Sequence, residues 1–224
     1  MRAFLARPGG GREPRWPGVL IIHEVFGLND NMREIARRFA AGGYVGLAID
    51  LFSGANTALC LARALAGIML RPLDNGTLSA LQMALKFLAN RSEVDNERIG
   101  VIGFCMGGSY ALQLACVDGS IRASATFYGQ NPRPLEAVAR ACPIVASYPQ
   151  YDYTARGGRK LAEALQRFGV PHDVKIYPGT QHAFFNDRGP VHNAAAAEDS
   201  WTRTLAFFEQ HLGAGASSAA VPDN

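Results

Sequence analysis

The chain has 224 residues, enough for one sizeable core and too few for two comfortable domains. Its hydrophobic content of 48 % is ordinary for a globular protein, and 22 basic against 19 acidic residues leave a net charge of only +3. The basic residues are scattered, adjacent only at Arg37-Arg38 and Arg159-Lys160, which excludes a nucleic-acid stripe, and no apolar run approaches the roughly 18 residues of a membrane helix.

In chain order, residues 1–6 read as an edge strand and the Gly/Pro-rich residues 7–17 as a loop. The opening MRAFLARPGG carries no apolar stretch long enough for a signal peptide. The four cysteines, Cys60, Cys105, Cys116 and Cys142, show no C-x-x-C spacing, so neither zinc nor a thioredoxin-type pair is expected, and a cytoplasmic setting with free thiols is. Val19, Leu20, Ile21 and Ile22 form a buried strand that ends in His23-Glu24-Val25-Phe26-Gly27. Asn31 and Glu34 fit a capping box, and Met32, Ile35 and Phe39 make a helix face that Gly42-Gly43 stops. Residues 44–49 read as the next strand, ending at Asp50. Residues 54–71 carry the weakest pattern, with Leu59, Ala62 and Leu65 spaced for a short helix over the site. Residues 77–88 are amphipathic, with Leu81, Leu85 and Leu88 on one side.

Ile99, Val101 and Ile102 are β-branched and mark a short buried strand, and Tyr110, Ala111, Leu114 and Ala115 form one apolar helix face. Residues 123–128 and 144–148 are strands. Leu161, Ala164, Leu165 and Phe168 line a helix, residues 174–177 form the last strand, and Trp201, Leu205, Phe208 and Leu212 mark a closing helix. Residues 1–212 thus read as a single domain and residues 213–224, GAGASSAAVPDN, as a flexible tail. Strands alternating with helices predict an α/β protein with a mostly parallel sheet covered on both faces, in which ligands sit outside the carboxyl ends of the strands.

Glu24, Asp50, Cys105, Asp152 and His182 all follow predicted strand ends. Gly103-Phe104-Cys105-Met106-Gly107 is the G-x-S-x-G nucleophile elbow with cysteine in place of serine. A turn this tight strains its central residue, and the flanking glycines avoid clashes. It lifts the Cys105 sulfur clear of the sheet at a helix N-terminus, where free N–H groups and the dipole favour a thiolate. A G-x-G-x-x-G phosphate loop fails because Cys105 occupies the second glycine position, and a P-loop fails for want of a Lys-Ser or Lys-Thr pair. A buried structural cysteine is the plain alternative. The elbow demands the chain order nucleophile, acid, histidine, and Cys105, Asp152 and His182 satisfy it. Asp152 has helix capping as its alternative, and Asp50, which precedes the nucleophile, reads as an acceptor of backbone hydrogen bonds at its turn. His172, His192 and His211 read as groups at the surface or at element ends.

Four segments stand in one order over most of the chain: His23-Glu24-Val25-Phe26-Gly27-Leu28, Gly43-Tyr44-Val45 through Asp50-Leu51-Phe52, Gly103-Phe104-Cys105-Met106-Gly107-Gly108, and His182-Ala183-Phe184-Phe185-Asn186-Asp187. Together they resemble the dienelactone hydrolase family. The resemblance implies an α/β-hydrolase fold, a Cys-Asp-His triad at Cys105, Asp152 and His182, a characteristic glutamate at Glu24, and no metal or organic cofactor. It implies hydrolysis of small esters or lactones, the family's named activity being carboxymethylenebutenolidase, the opening of an unsaturated lactone to a keto acid. The Met106 N–H is one expected oxyanion donor, and by resemblance the Val25 N–H is the other. The acyl thioester formed on Cys105 is then hydrolysed by water that His182 activates.

Glu24 has two readings. Pointing inward, it disfavours the thiolate until substrate displaces it; pointing to its turn, it accepts amide hydrogen bonds. The family's arginine shortly after the histidine is matched here by Asn186, so a cation for a substrate carboxylate is expected from Arg63, Arg71 or Arg188. Neutral short esters are then expected to be at least as good substrates as the anionic dienelactone. The expected partner is a small-molecule ester or lactone bound to a monomer or homodimer, with no nucleic acid and no membrane. Two rival readings remain: a catalytically silent α/β-hydrolase scaffold that binds a small molecule, and a redox sensor on Cys105, which needs a resolving cysteine nearby.

Overall fold

The structure, a computed structural model, describes residues 2–9, 15–53 and 56–213. Among them seven strands form one sheet: β1 (Arg2–Ala6), β2 (Trp16–Ile22), β3 (Val45–Asp50), β4 (Val94–Phe104), β5 (Ile121–Phe127), β6 (Ile144–Tyr151) and β7 (His172–Gln181). Their spatial order is β1-β3-β2-β4-β5-β6-β7, and every pairing is parallel except that of β1 with β3. The helices are α1 (Asp30–Ala41), α2 (Thr57–Leu70), α3 (Gly76–Ala89), α4 (Met106–Val117), α5 (Thr154–Arg167) and α6 (Ala194–Leu212), with a 3-10 turn at Leu135–Arg140. No helix of the described residues is long and apolar enough to cross a membrane.

Successive strand residues point to opposite faces, and this sorts the core into layers. Val19, Ile21, Ala48, Ile102 and Ala125 pack with Phe39 of α1 and Trp201 and Phe208 of α6. Leu20, Ile22, Leu47 and Val101 pack on the other side with Leu81 and Leu85 of α3 and Tyr110 of α4. A third cluster joins Leu112 of α4 and Leu161 of α5 to Ala146 and Tyr148 of β6. Both faces of the parallel sheet are therefore covered, as the alternating elements predict.

Register positions the functional end. Ile22 pairs with both Ile49 and Gly103, so β2, β3 and β4 end level, and Phe104 pairs with Phe127. On the far side Tyr151 pairs with Gln181 after an irregularity at Pro149, which sets the next residues of the two strands, Asp152 and His182, side by side.

Local expectations need four corrections. The cap of α1 is Asn29, whose side chain accepts from the Met32 N–H at 3.1 Å, while the Asn31 amide donates to Asp187 at 2.9 Å. Trp16 and Pro17 belong to β2 and not to the preceding loop, and β4 extends back through the polar residues Asp95 to Arg98 to the buried Val94, because ladder pairing of Val94 with Trp16 and of Asp95 with Pro17 outweighs their poor strand propensity. The weakly patterned stretch forms the full 14-residue α2, turned so that Ala64, Gly67 and Ile68 face inward and Leu59, Ala62 and Leu65 outward. Its small residues let it sit on α4: the Tyr110 hydroxyl donates to the Ala64 carbonyl at 2.7 Å, and a Cβ on Gly67 would lie 2.8 Å from that hydroxyl. Finally, α4 is not one-sided, since every residue from Met106 to Cys116 is buried between the sheet and its neighbouring elements. Of the predicted tail, all but Gly213 lies outside the described residues.

Candidate active site

Cys105 stands between β4 and α4 with φ 55° and ψ −116°, a conformation that a non-glycine residue keeps only where its surroundings impose it. Its N–H donates to the Phe127 carbonyl at 2.9 Å and its own carbonyl accepts from the Ser109 N–H at 3.0 Å. The flanking glycines are required by contact. A Cβ on Gly103 would lie 2.0 Å from the Gly107 carbonyl oxygen, and one on Gly107 would lie 2.3 Å from that of Ile22. The first turn of α4 thus rests directly on the backbone of β2 and β4, and Cys105 is left half-buried above it.

His182 follows β7 and faces Asp152, which follows β6: Nδ1 donates to Asp152 Oδ2 at 2.7 Å. The carboxylate also accepts from Thr154 Oγ1 at 2.5 Å and is nearly inaccessible, its side chain 4 % exposed. Burial works against its ionisation, but the bonds from His182 and Thr154 prevail and hold its pKa below the usual aspartate value. Burial likewise works against a charged His182, yet the bond to Asp152 and the facing Cys105 sulfur, as acceptor for the imidazolium, raise its pKa to about 10. With Nδ1–H committed to Asp152, Nε2 is the nitrogen left for the sulfur. Asp152 is not the side-chain cap of α5, whose cap position is Tyr153.

Glu24 is buried and points inward, the first of its two readings, and it does not accept from its turn amides. Oε1 accepts from the Tyr128 hydroxyl at 3.0 Å and Oε2 from the Asn186 amide at 3.1 Å, so side chains and not turn amides hold it. Burial raises its pKa despite these two bonds. Tyr128 itself lies at φ 45° just past β5, with its ring 4.8 Å from the His182 ring. Beneath the same turn His23 is buried, with Nε2 accepting from the Leu51 N–H at 3.0 Å. Nδ1 therefore carries the proton, donated to the Glu24 carbonyl at 2.5 Å. Burial lowers the pKa of this imidazole, and Asp50 accepts from the Phe52 N–H at 3.0 Å, a turn role as its position predicts.

The predicted cations do not gather at this centre. Arg71 lies 3.1 Å from Asp74 and Arg188 3.7 Å from Asp30, all four exposed. Arg63 and Arg71 line a cavity of about 630 Å³ between α2 and α3 that no residue of Cys105, Asp152 or His182 lines. Asn186 is at the centre but directs its amide to Glu24. Burial pushes both Cys116 and Cys142 up to about 12, so neither is poised as a resolving thiolate. Sequence reasoning passed over Tyr128, Tyr153 and Thr154. Tyr128 carries the same signal as the residues it found, a polar side chain just past a strand end.

A family model described as the dienelactone hydrolase family matches residues 1–212. A protein of Saccharolobus solfataricus named "Putative carboxymethylenebutenolidase" is 35 % identical, the match covering 94 % of each chain. Among solved structures, m3DLH is 28 % identical with a TM-score of 0.79, covering 94 % of this chain and 92 % of its own. A dienelactone hydrolase-like promiscuous phosphotriesterase from metagenomic libraries shares the fold at 24 % identity and a TM-score of 0.77, covering 94 % and 99 %.

Proposed function

The chain belongs to the dienelactone hydrolase family and is a hydrolase acting on ester bonds, and from that premise we propose that it cleaves small esters or lactones with Cys105 as the nucleophile. The observation that carries this reading is a cysteine held at positive φ on a helix N-terminus, facing an imidazole whose far nitrogen is bonded at 2.7 Å to a buried aspartate. The Cys105 sulfur attacks the substrate carbonyl while His182 Nε2 holds the thiol proton. The Met106 N–H, in the first turn of α4 where backbone donors lack helical partners, receives the developing oxyanion together with the Val25 N–H. His182 then returns its proton to the departing alcohol oxygen, leaving the acyl group on sulfur. Water, deprotonated by His182, hydrolyses this thioester and regenerates the thiol. Asp152 keeps the imidazole in its tautomer and steadies the imidazolium throughout.

Glu24 and Tyr128 act by position, the phenol packed on the imidazole and the carboxylate behind it favouring its charged form. Because Arg71 and Arg188 are turned to aspartates and Asn186 to Glu24, short neutral esters are turned over at least as well as the compact anionic dienelactone. The test is hydrolysis of p-nitrophenyl acetate by Cys105→Ala and by iodoacetamide-treated enzyme. Activity falls by at least about a thousandfold in both, with alkylation mapped to Cys105. Retained hydrolysis in Cys105→Ala overturns the nucleophile assignment.

A further inference from the structure

Helix α2 is apolar on both sides and covered on only one. Its inner residues Ala64, Gly67 and Ile68 pack on α3 and α4, and no described element lies against the opposite face. Leu59, Leu65, Met69 and Leu70 of α2 and Met83 and Phe87 of α3 are each between 41 % and 78 % exposed. They form one patch, because Leu70 and Met83 line the same groove between the two helices and Phe87 follows Met83 one turn along α3. At the other edge Met69 reaches a cavity that it shares with Tyr153, whose ring stacks on His182 at 5.9 Å, so the face borders the mouth of the candidate active site. For side chains of about 200 Å² each, such exposures leave roughly 700 Å² of apolar surface. That exceeds the roughly 300–600 Å² usual for the largest patch of a monomer and approaches the about 800 Å² that each partner gives to a stable interface.

We infer that two copies of the chain dimerise on this face, α2 lying antiparallel to α2 of the second copy about a twofold axis level with Ala64. The exposed face is symmetric about that level: Leu59 and Met69 lie equally far to either side of it, and so, closer in, do Ala62 and Ala66. Antiparallel pairing therefore sets each Leu59 against Met69 of the second copy and each Ala62 against Ala66, the same contacts made twice, as an isologous interface requires. The alanines stand at the centre, where they let the helix axes approach to about 8 Å, and the longer side chains close over them at both ends. Charge favours a second copy over other occupants. Arg63 is the only charged residue within α2 and is turned to the groove beside α3, while Arg71, past its end, lies 3.1 Å from Asp74. A charged partner finds nothing to pair with there, and a helix that lies on lipid carries several Lys or Arg beside its apolar face. An identical apolar face fits without burying a charge.

Sedimentation velocity tests this. The wild type at micromolar concentration sediments at twice its 24.1 kDa and dissociates on dilution. Ala62→Glu/Ala66→Glu, at two exposed positions, keeps the circular dichroism of the wild type and weakens dimerisation by at least about a hundredfold, because it brings four carboxylates together at the closest approach. The register is read from two further double variants that lose the same apolar surface. Leu59→Glu/Met69→Lys dimerises at least about tenfold more tightly than Leu59→Glu/Met69→Glu, since only in the first do opposite charges meet across the axis. A wild type that stays monomeric at about a hundred micromolar overturns the inference, and binding of that monomer to phosphatidylglycerol vesicles assigns the face to lipid instead. A dimer that survives Ala62→Glu/Ala66→Glu, or equal affinity in the two variants of Leu59 and Met69, overturns it as well, by placing the interface elsewhere or in another register.

Discussion

Two histidines of the site titrate in opposite directions. His23 is neutral because each of its nitrogens serves a backbone group, one accepting from Leu51 and the other donating to Glu24. Burial lowers its pKa below 6.5, so the unfolded chain binds the extra proton more readily. The stability this group contributes is present above pH 6.5 and is lost as the pH falls below that value. Thermal melts from pH 7 to 5 should therefore show a shallower decline for His23→Gln than for the wild type; equal slopes would assign acid sensitivity elsewhere. His182 is the reverse. Its pKa is raised from 6.5 to about 10, so its contribution is complete below pH 6.5 and is lost as the pH climbs through about 10. Melting temperature should fall across that interval, and His182→Gln should flatten the curve. In kinetics, Cys105→Ala and His182→Ala are expected to be non-additive, the double variant about as slow as either single one, since the two act as a unit. Multiplicative losses measured as kcat/KM would separate their roles.

Among the elements, α4 and α5 owe their positions to the absence of side chains at chosen points. Gly107 cannot gain a methyl group without driving α4 off β2, and Gly107→Ala should cost roughly 3 kcal/mol or more in chemical denaturation, with loss of activity. The adjacent pair in α5 gives a sharper contrast. A Cβ on Gly158 would meet the Tyr148 ring at 2.5 Å, whereas on Gly157 the nearest atom is the Asn131 amide at 3.9 Å. Gly158→Ala should destabilise by about 1–3 kcal/mol. Gly157→Ala should stabilise by up to about 1 kcal/mol, because alanine favours the helix and nothing opposes it. Urea titrations of the two variants check both signs, and destabilisation by both would show that α5 tolerates no added volume on either face.

Across the whole molecule, the sheet separates two core layers that are expected to unfold together. Leu81 lies at the centre of the layer under α3, and Phe208 in the layer under α6 on the opposite face. Leu81→Ala should cost about 2–5 kcal/mol and Phe208→Ala about 3–5 kcal/mol. Having no shared contacts, their effects should add to within about 0.5 kcal/mol, with one transition seen alike by circular dichroism and by tryptophan fluorescence. Two separated transitions would show instead that the layers are independent folding units.

The fold class was legible from the residues alone because each local pattern agreed with it. Aliphatic runs at Val19 to Ile22 and at Ile99 to Ile102 mark strands buried on both faces, and Gly103, Cys105 and Gly107 mark a turn that only backbone contact can build. Chain order then nominated Asp152 and His182. Patterns that depend on a neighbour were not legible. Nothing within α2 announces that Gly67 must lie against the Tyr110 hydroxyl, so its face was misread, and nothing within α4 reveals that elements cover it all round. The partners of Glu24 come from residues 104 and 162 positions away, and the register that sets Tyr151 beside Gln181 places Asp152 against His182. Covalent neighbours determine the shape of a turn and the period of a strand. Which side chain meets which carboxylate, and which arginine faces a cavity or an aspartate, is decided by packing between segments distant in the chain, and only the tertiary structure carries that information.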